Sequence, residues 1–328
     1  MFKGQTILIT GGTGSWGYEL VRQLLMQSPK EIRIFSRNES YQFTMKENFD
    51  NHPSLTFLIG DIKEKETLVE ASQGVDFIFH LAALKHVPVC EHQPLEALKT
   101  NVMGTQNVID AAIENNVRKV VYISTDKAAN PSNFYGLTKA MGERLIIHAN
   151  TLTDKTQFVT IRGGNVLGTA GSVIHVFKRQ IEHSGKVCIT DMEMTRFFLV
   201  IEDAIKLVFK ATTESVGGEI FVMKMHSCRI MDIAQVLIDD SGKEDVKVEV
   251  LGIRPGEKIH EYLLSEFEAT NTIQYDDEYY IILPHVHINN VGQSYKDYKP
   301  ANIENYISNK NLISQDEVRE LLERGGFL

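Results

Sequence analysis

The stretch Thr10-Gly11-Gly12-Thr13-Gly14-Ser15-Trp16-Gly17 constrains this chain more than any other, because it joins the β-branched run Thr6–Thr10 to the helical run Tyr18–Gln27. Glycines at these spacings let a turn tighten, let backbone N–H groups approach a pyrophosphate, and let the helix pack closely on the strand. A strand, a glycine turn and a helix in that order predict a parallel α/β sheet that holds a dinucleotide at its strand ends. The chain that follows agrees. Short apolar runs near Ile32–Ser36, Thr56–Gly60, Phe77–Leu81 and Val120–Ser124 each precede an amphipathic stretch, the βαβα alternation of a doubly wound sheet. Further strands are expected at Phe158–Arg162 and Glu219–Lys224, with helices near Val173–Glu182, Glu202–Thr212 and Met231–Asp239. Ser314 and Glu317 form a capping-box pattern that opens a last helix stopping before Gly325-Gly326.

The alternation weakens after about residue 165, yet no repeat, low-complexity tract or flexible linker appears. The expected organisation is therefore interleaved. Residues 1–165 plus about 195–225 form the dinucleotide-binding domain, and about 166–194 plus 226–328 form a smaller substrate-binding lobe. Among 328 residues, 34 Lys and Arg stand against 43 Asp and Glu, a net charge of −9 that argues against nucleic acid as a partner. A small anionic ligand needs its own basic pocket. Cys90, Cys188 and Cys228 lie far apart without metal-ligand spacing, and no apolar run is long enough to cross a bilayer. The expectation is a soluble cytoplasmic protein without a metal or membrane partner.

The end of the second strand discriminates between nicotinamide cofactors, since an acid there binds the ribose hydroxyls of NAD whereas an arginine accommodates the extra phosphate of NADP. Here it reads Phe35-Ser36-Arg37, which favours NADP, while Glu39 keeps NAD open. Tyr135-Gly136-Leu137-Thr138-Lys139 places a phenol and an ammonium on one helical face, where a cation can favour the phenolate that takes a proton from a sugar hydroxyl. The same spacing recurs at Tyr295/Lys299 and Tyr306/Lys310, but only the first copy follows a sheet strand, the one ending in Ser124-Thr125.

The glycine turn, Ser124 and Tyr135-x3-Lys139 together resemble the extended short-chain dehydrogenase/reductase superfamily over nearly the whole chain. That resemblance implies a Rossmann-like fold with the cofactor held by Gly11, Thr13, Gly14, Ser15, Trp16, Gly17, Ser36, Arg37, Asp61, Ile62, Ala82 and Lys139. It also makes Tyr135 the general base or acid, lets Ser124 or Thr125 orient the reacting hydroxyl, makes Asn101 a structural residue, and implies a homo-oligomer.

Asp126 and Lys127, beside Thr125, add an acid and a base that an epimerase does not need. Once C4 of a hexose is a ketone, its C5 hydrogen is acidic, and Lys127 as base with Asp126 as acid can eliminate the C6 hydroxyl as water before hydride returns to C6. In a less specific setting the same pair is an exposed loop ion pair. With Ala82-Ala83-Leu84-Lys85-His86-Val87-Pro88, Gly164-Asn165-Val166, Gly171-Ser172-Val173, Ile189-Thr190-Asp191, Met194-Thr195-Arg196-Phe197 and Arg254-Pro255-Gly256-Glu257-Lys258, the pattern resembles the UDP-N-acetylglucosamine 4,6-dehydratases. By that likeness Lys85 lies near the hexose, Asn165, Val173 and Thr190 line the nucleotide-sugar site, Arg196 and Arg254 grip the diphosphate, and Glu257 meets the ribose. Relatives carry tyrosine where this chain has Gly163 and arginine where it has Ala170. These departures tip the expectation slightly towards retention at C5, although Tyr135 itself is usual in inverting relatives. The C5-inverting dehydratase, the UDP-sugar 4-epimerase and a non-catalytic NADP-sensing scaffold are the alternatives. His285-x-His287 resembles half a metal site and lacks a third ligand in sequence.

Overall fold

The computed structural model describes residues 1–169 and 172–328; Ala170 and Gly171, which fall in two of the stretches discussed above, lie outside the described residues. Its strands β1 (Thr6–Thr10), β2 (Glu31–Ser36), β3 (Leu55–Ile59), β4 (Phe77–His80), β5 (Lys119–Thr125), β6 (Gln157–Gly163) and β7 (Ile220–Met223) form a parallel array. The antiparallel pair β8 (Thr272–Gln274) and β9 (Tyr279–Ile282) completes a nine-stranded sheet in the order β8-β9-β7-β6-β5-β4-β1-β2-β3. The sequence of β1 and β4 explains their central position. Every residue of both is buried, as strands covered by helices on two faces require.

The order steps outward from β1 in both directions, so the carboxyl ends of β1 and β4 flank the crevice where such sheets bind ligands. The glycine turn fills the first edge of that crevice. Gly11 has φ +69°, and a Cβ there would stand 2.8 Å from the Ala82 backbone. At Gly17 a Cβ would lie 1.9 Å from the Gly12 carbonyl oxygen, so only glycine lets the helix Ser15–Leu25 seat against the turn.

Helices at Val173–Ser184, Ile201–Glu214 and Ile230–Asp240 match the expected ones closely, and the capping box at Ser314 and Glu317 opens Gln315–Arg324. The lobe boundaries run differently from the expectation. The hairpin of β8 and β9 joins the large sheet, although residues 226–328 were expected in the smaller lobe. Thr195–Leu199 pairs instead with Asn165–Val166 and His226–Arg229 in a separate three-stranded sheet. Short strands carry little periodicity, and their pairing with distant segments is not written locally. A second apolar cluster, including Ile174, Phe177, Ile189, Phe198, Ile233 and Leu321, builds the smaller lobe beside the crevice.

Arg162, 1 % exposed on β6, fixes the catalytic-side helix Phe134–Ala149 to both parts. Its guanidinium donates to Glu143 at 3.0 and 2.6 Å and to Glu268 at 3.0 and 2.8 Å. A planar fork suits two carboxylates that would otherwise be buried unpaired.

Candidate active site

A cavity of about 890 Å³ runs from the glycine turn past the ends of β1, β4 and β5 into the smaller lobe. It brings together nearly all the residues singled out from the sequence. Gly11, Thr13, Gly14, Ser15, Trp16, Ser36, Arg37, Asp61, Ile62 and Ala82 line one arm; Thr125, Lys127, Tyr135 and Lys139 line the middle. Lys85, Asn165, Val173, Thr190, Arg196, Arg254 and Glu257 line the other arm. Gly17 lies beneath the turn as a packing position, and Asp126 lies behind the wall with none of its side chain exposed.

The first arm fits a nicotinamide dinucleotide. The helix Ser15–Leu25 starts at Gly14, which has no side chain to cap it, so its first amide groups face the space a pyrophosphate would fill. At the far end Arg37 stands half exposed, 3.7 Å from Asp61 Oδ2, while Glu39 is exposed and absent from the cavity wall.

Asn101 holds the middle of the site in place. It lies in a π-helical turn, Lys99–Met103, a distortion that occurs often at functional sites. Its amide accepts from Leu84 N at 2.8 Å and donates to Leu84 O at 2.9 Å and to Thr138 Oγ1 at 2.9 Å. One side chain thereby ties the segment after β4 to the helix carrying Tyr135 and Lys139. His80 packs rather than reacts: its ring lies between Thr10 and Thr105 hydroxyls at 2.7 and 3.0 Å, and burial pushes its imidazole down to about 3.

Lys139 donates to the Ile123 carbonyl at 2.8 Å and sits 3.8 Å from the Tyr122 ring centroid. Burial pushes its ammonium down to about 7, with Glu143 working in the opposite direction. Tyr135 is pushed up to about 12 by burial, and the Lys127 charge acts against that rise. Lys127 therefore acts on the phenol in addition to the Lys139 of the sequence pattern, which lines the same cavity.

Asp126 and Lys127 form a buried pair at the end of β5, with Lys127 Nζ 3.0 Å from Asp126 Oδ1. Thr125 Oγ1 donates to the same oxygen at 2.8 Å. Burial alone would raise the Asp126 carboxyl, but the Lys127 charge and the two hydrogen bonds hold it below the usual range. For Lys127, burial disfavours the charged amine, and Asp126 with Glu261 outweighs it and holds the ammonium above its ordinary value. Ser124 Oγ, buried and without a hydrogen-bond partner among the described residues, also faces the cavity.

Sequence reasoning missed Glu261. This residue is 3 % exposed, and its carboxylate lies 3.8 Å from Lys127 Nζ, 3.8 Å from Arg196 Nε and 3.6 Å from Lys258 Nζ. It lies just beyond the recognised Arg254–Lys258 stretch, and an isolated glutamate in Lys258-Ile259-His260-Glu261 carries no local signal. Arg196 is also held by its own chain, donating to the carbonyls of Thr195, Ile259 and Lys258 at 2.7, 3.0 and 2.9 Å. The duplicate Tyr/Lys spacings are structural: Tyr295 donates to the buried Glu219 at 2.8 Å, and the Tyr306 hydroxyl donates to Met225 O at 3.0 Å. His285 and His287 are exposed and stand outside the cavity wall.

Residues 7–283 match the polysaccharide biosynthesis protein family. A UDP-N-acetylglucosamine 4,6-dehydratase (inverting) from Campylobacter jejuni is 41% identical, covering 98% of this chain and 98% of that protein. A UDP-glucose 4-epimerase from Rickettsia canadensis is 39% identical, covering 98% of this chain and 96% of its own length. The solved structure of Pen from Bacillus thuringiensis superposes with a TM-score of 0.93 at 38% identity, covering 100% of this chain and 99% of that one. The chain belongs to the polysaccharide biosynthesis family of extended short-chain dehydrogenases/reductases. Within it, the relatives this chain resembles over nearly its whole length are named both as dehydratases and as epimerases of nucleotide sugars.

Proposed function

We propose that the protein is a UDP-N-acetylglucosamine 4,6-dehydratase that uses bound NADP and inverts C5. The observation that carries this reading is that Tyr135 and Lys127 line one cavity beside the glycine cradle, with Asp126 hydrogen-bonded to Lys127 directly behind its wall. The nicotinamide supplies, when bound, a reversible hydride acceptor for C4 and donor for C6. Tyr135 takes the C4 hydroxyl proton, Lys127 takes the acidified C5 proton, and Asp126 protonates the departing C6 hydroxyl. Arg254 and Arg196, at the other arm, present charge to the diphosphate that an acidic protein must otherwise repel.

Inversion replaces the slight expectation of retention. That expectation rested on Gly163 and Ala170, and a side chain at Gly163 would meet Met223 Sδ at 3.1 Å rather than the cavity wall. The dehydratase relative named above is itself described as inverting. The epimerase alternative keeps the support of the Rickettsia relative. Incubation with UDP-N-acetylglucosamine is expected to yield a product lighter by one water, with inverted C5 by NMR of the fresh product. An isomer of unchanged mass would replace this reading with the epimerase.

For the cofactor, the exposed Arg37 favours NADP, and the absence of Glu39 from the wall weakens the case for NAD. Arg37→Ala is expected to weaken NADP binding by roughly tenfold or more, the scale of one lost charge-assisted hydrogen bond, while leaving NAD binding nearly unchanged. Titration of both cofactors by calorimetry checks this; an unaltered NADP affinity would remove Arg37 from the phosphate site. Met103, Leu137 and Met141 are exposed on neighbouring helical segments, apolar surface that a second copy of the chain would cover in a homo-oligomer.

A further inference from the structure

The turn that carries Arg254 and Glu257 into the substrate arm is hung on the start of the helix that carries Tyr135. Glu257 N donates to Arg254 O at 3.0 Å, and Gly256 has φ +80°, which with Pro255 before it is the pattern of a type II turn. The Gly256 carbonyl accepts from Asn133 Nδ2 at 2.9 Å and from Ser132 Oγ at 3.1 Å. Lys258 Nζ ties the same two segments a third time, donating to the Ala129 carbonyl at 3.1 Å. A Cβ at Gly256 would stand 3.1 Å from Asn133 Cβ, so a side chain there would crowd this contact.

Asn133 differs from Ser132 and Lys258 because both ends of its amide are used. Its Oδ1 accepts from Gly136 N at 2.8 Å and so caps the helix Phe134–Ala149, two residues before Tyr135. Gly136 seats that first helical turn closely on the end of β5: a Cβ there would lie 2.2 Å from the Lys127 carbonyl oxygen. Asn133 is 7 % exposed and is not part of the cavity wall, so its bonds act on the backbone around the site. A cap needs only the oxygen. The nitrogen fixes how far the Arg254–Glu257 turn stands from the phenol.

We propose that Asn133 is a positioning residue whose amide sets the register between the Arg254–Glu257 turn and Tyr135, so that a nucleotide-sugar held by its diphosphate presents O4 to the phenol. It rests on the dehydratase reading, which puts the diphosphate at Arg254 and O4 at Tyr135. A substrate held at two points reacts well only where their separation matches its own, and an error of about 1 Å costs on the order of 100-fold in rate. Loss of the nitrogen loosens that match, while Arg254 and Glu257 stay on their turn and Tyr135 and Lys139 on their helix.

Asn133→Asp and Asn133→Ser test this, because each keeps an oxygen suited to the cap and loses the bond to Gly256 O: aspartate lacks the donor and serine the reach. In Asn133→Ser the Gly256 carbonyl still accepts from Ser132. Both variants are expected to lose about 10- to 100-fold in kcat on UDP-N-acetylglucosamine. The affinity for UDP, which occupies the nucleotide arm alone, should stay near the wild-type value, and so should the melting temperature. Deuterium at C4 of the substrate should slow the variants at least as much as it slows wild type, because the misaligned step is the hydride transfer. Unchanged kcat in either variant would overturn the proposal. So would a joint fall of rate, UDP affinity and melting temperature, the mark of a purely structural cap, or a smaller isotope effect, which would put the slowed step after oxidation. Product mass keeps the two readings apart: an isomer of unchanged mass would overturn dehydration and leave the comparison of variants valid, since both reactions begin at C4. A wild type that converts no UDP-N-acetylglucosamine would overturn both.

Discussion

Tyr135→Phe is expected to lower turnover of UDP-N-acetylglucosamine by about 10³-fold, in the middle of the range for removing a positioned general base. Phenylalanine keeps the ring packed among Cys90, Ala97 and Phe134, so the fold and cofactor affinity should persist. What disappears is the oxygen that receives the O4 proton, and with it the first oxidation. The same argument sets the pH dependence. Burial pushes the Tyr135 phenol up to about 12, and Asp126 with Glu261 holds Lys127 above its ordinary value, so both proton acceptors are mostly protonated at neutral pH. A base works only in its deprotonated form, so the rate of C4 oxidation by the wild type should rise from neutral to alkaline pH. In Tyr135→Phe the residual rate should rise less steeply. Stopped-flow absorbance of the reduced nicotinamide, read with product formation across pH, checks both effects; full activity in the variant would displace Tyr135 as the C4 base.

What could be read beforehand follows from where each signal is stored. The glycine turn is local: positive φ at Gly11 and the contact of Gly17 with Gly12 both arise within a few residues, so strand, turn and helix were all apparent. Tyr135 with Lys139, and Asp126 with Lys127, were likewise adjacent in the chain. The charge environment was not. Glu261 approaches Lys127 from a segment more than a hundred residues away, and Lys139 also donates to a backbone carbonyl, contacts that helical spacing does not carry. The short strands of β8 and β9 were missed for a related reason: three or four residues give too little alternation to separate from a loop, and their sheet is decided by tertiary packing. Gly163 misled in the opposite way. A residue that differs from relatives next to a binding motif invites a functional reading, yet alternation along β6 turns that position towards Met223.

The second large effect is expected at Lys127, whose removal should separate oxidation at C4 from elimination at C5. Lys127→Ala is expected to abolish incorporation of solvent deuterium at C5 and to lower dehydration by about 10³-fold, since Lys127 is the amine hydrogen-bonded to Asp126. Lys258, the next cation on this side, lies against Glu261 and donates to the Ala129 carbonyl at 3.1 Å. Tyr135 itself remains in the variant but loses the Lys127 charge that favours its phenolate, so transient reduction of the nicotinamide by substrate should slow but continue. That combination, oxidation without C5 exchange, marks a missing base rather than a missing site. Removing the lysine also leaves Asp126 and Glu261 buried with less positive charge, and breaking a buried pair costs about 3–5 kcal/mol. A fall in melting temperature is therefore expected together with the loss of exchange. Lys127→Gln, which retains a hydrogen-bond donor for Asp126 but no usable base, should recover part of the stability and none of the exchange. If deuterium still enters C5 in either variant, the proton is removed by a different group and Lys127 serves only to hold Asp126.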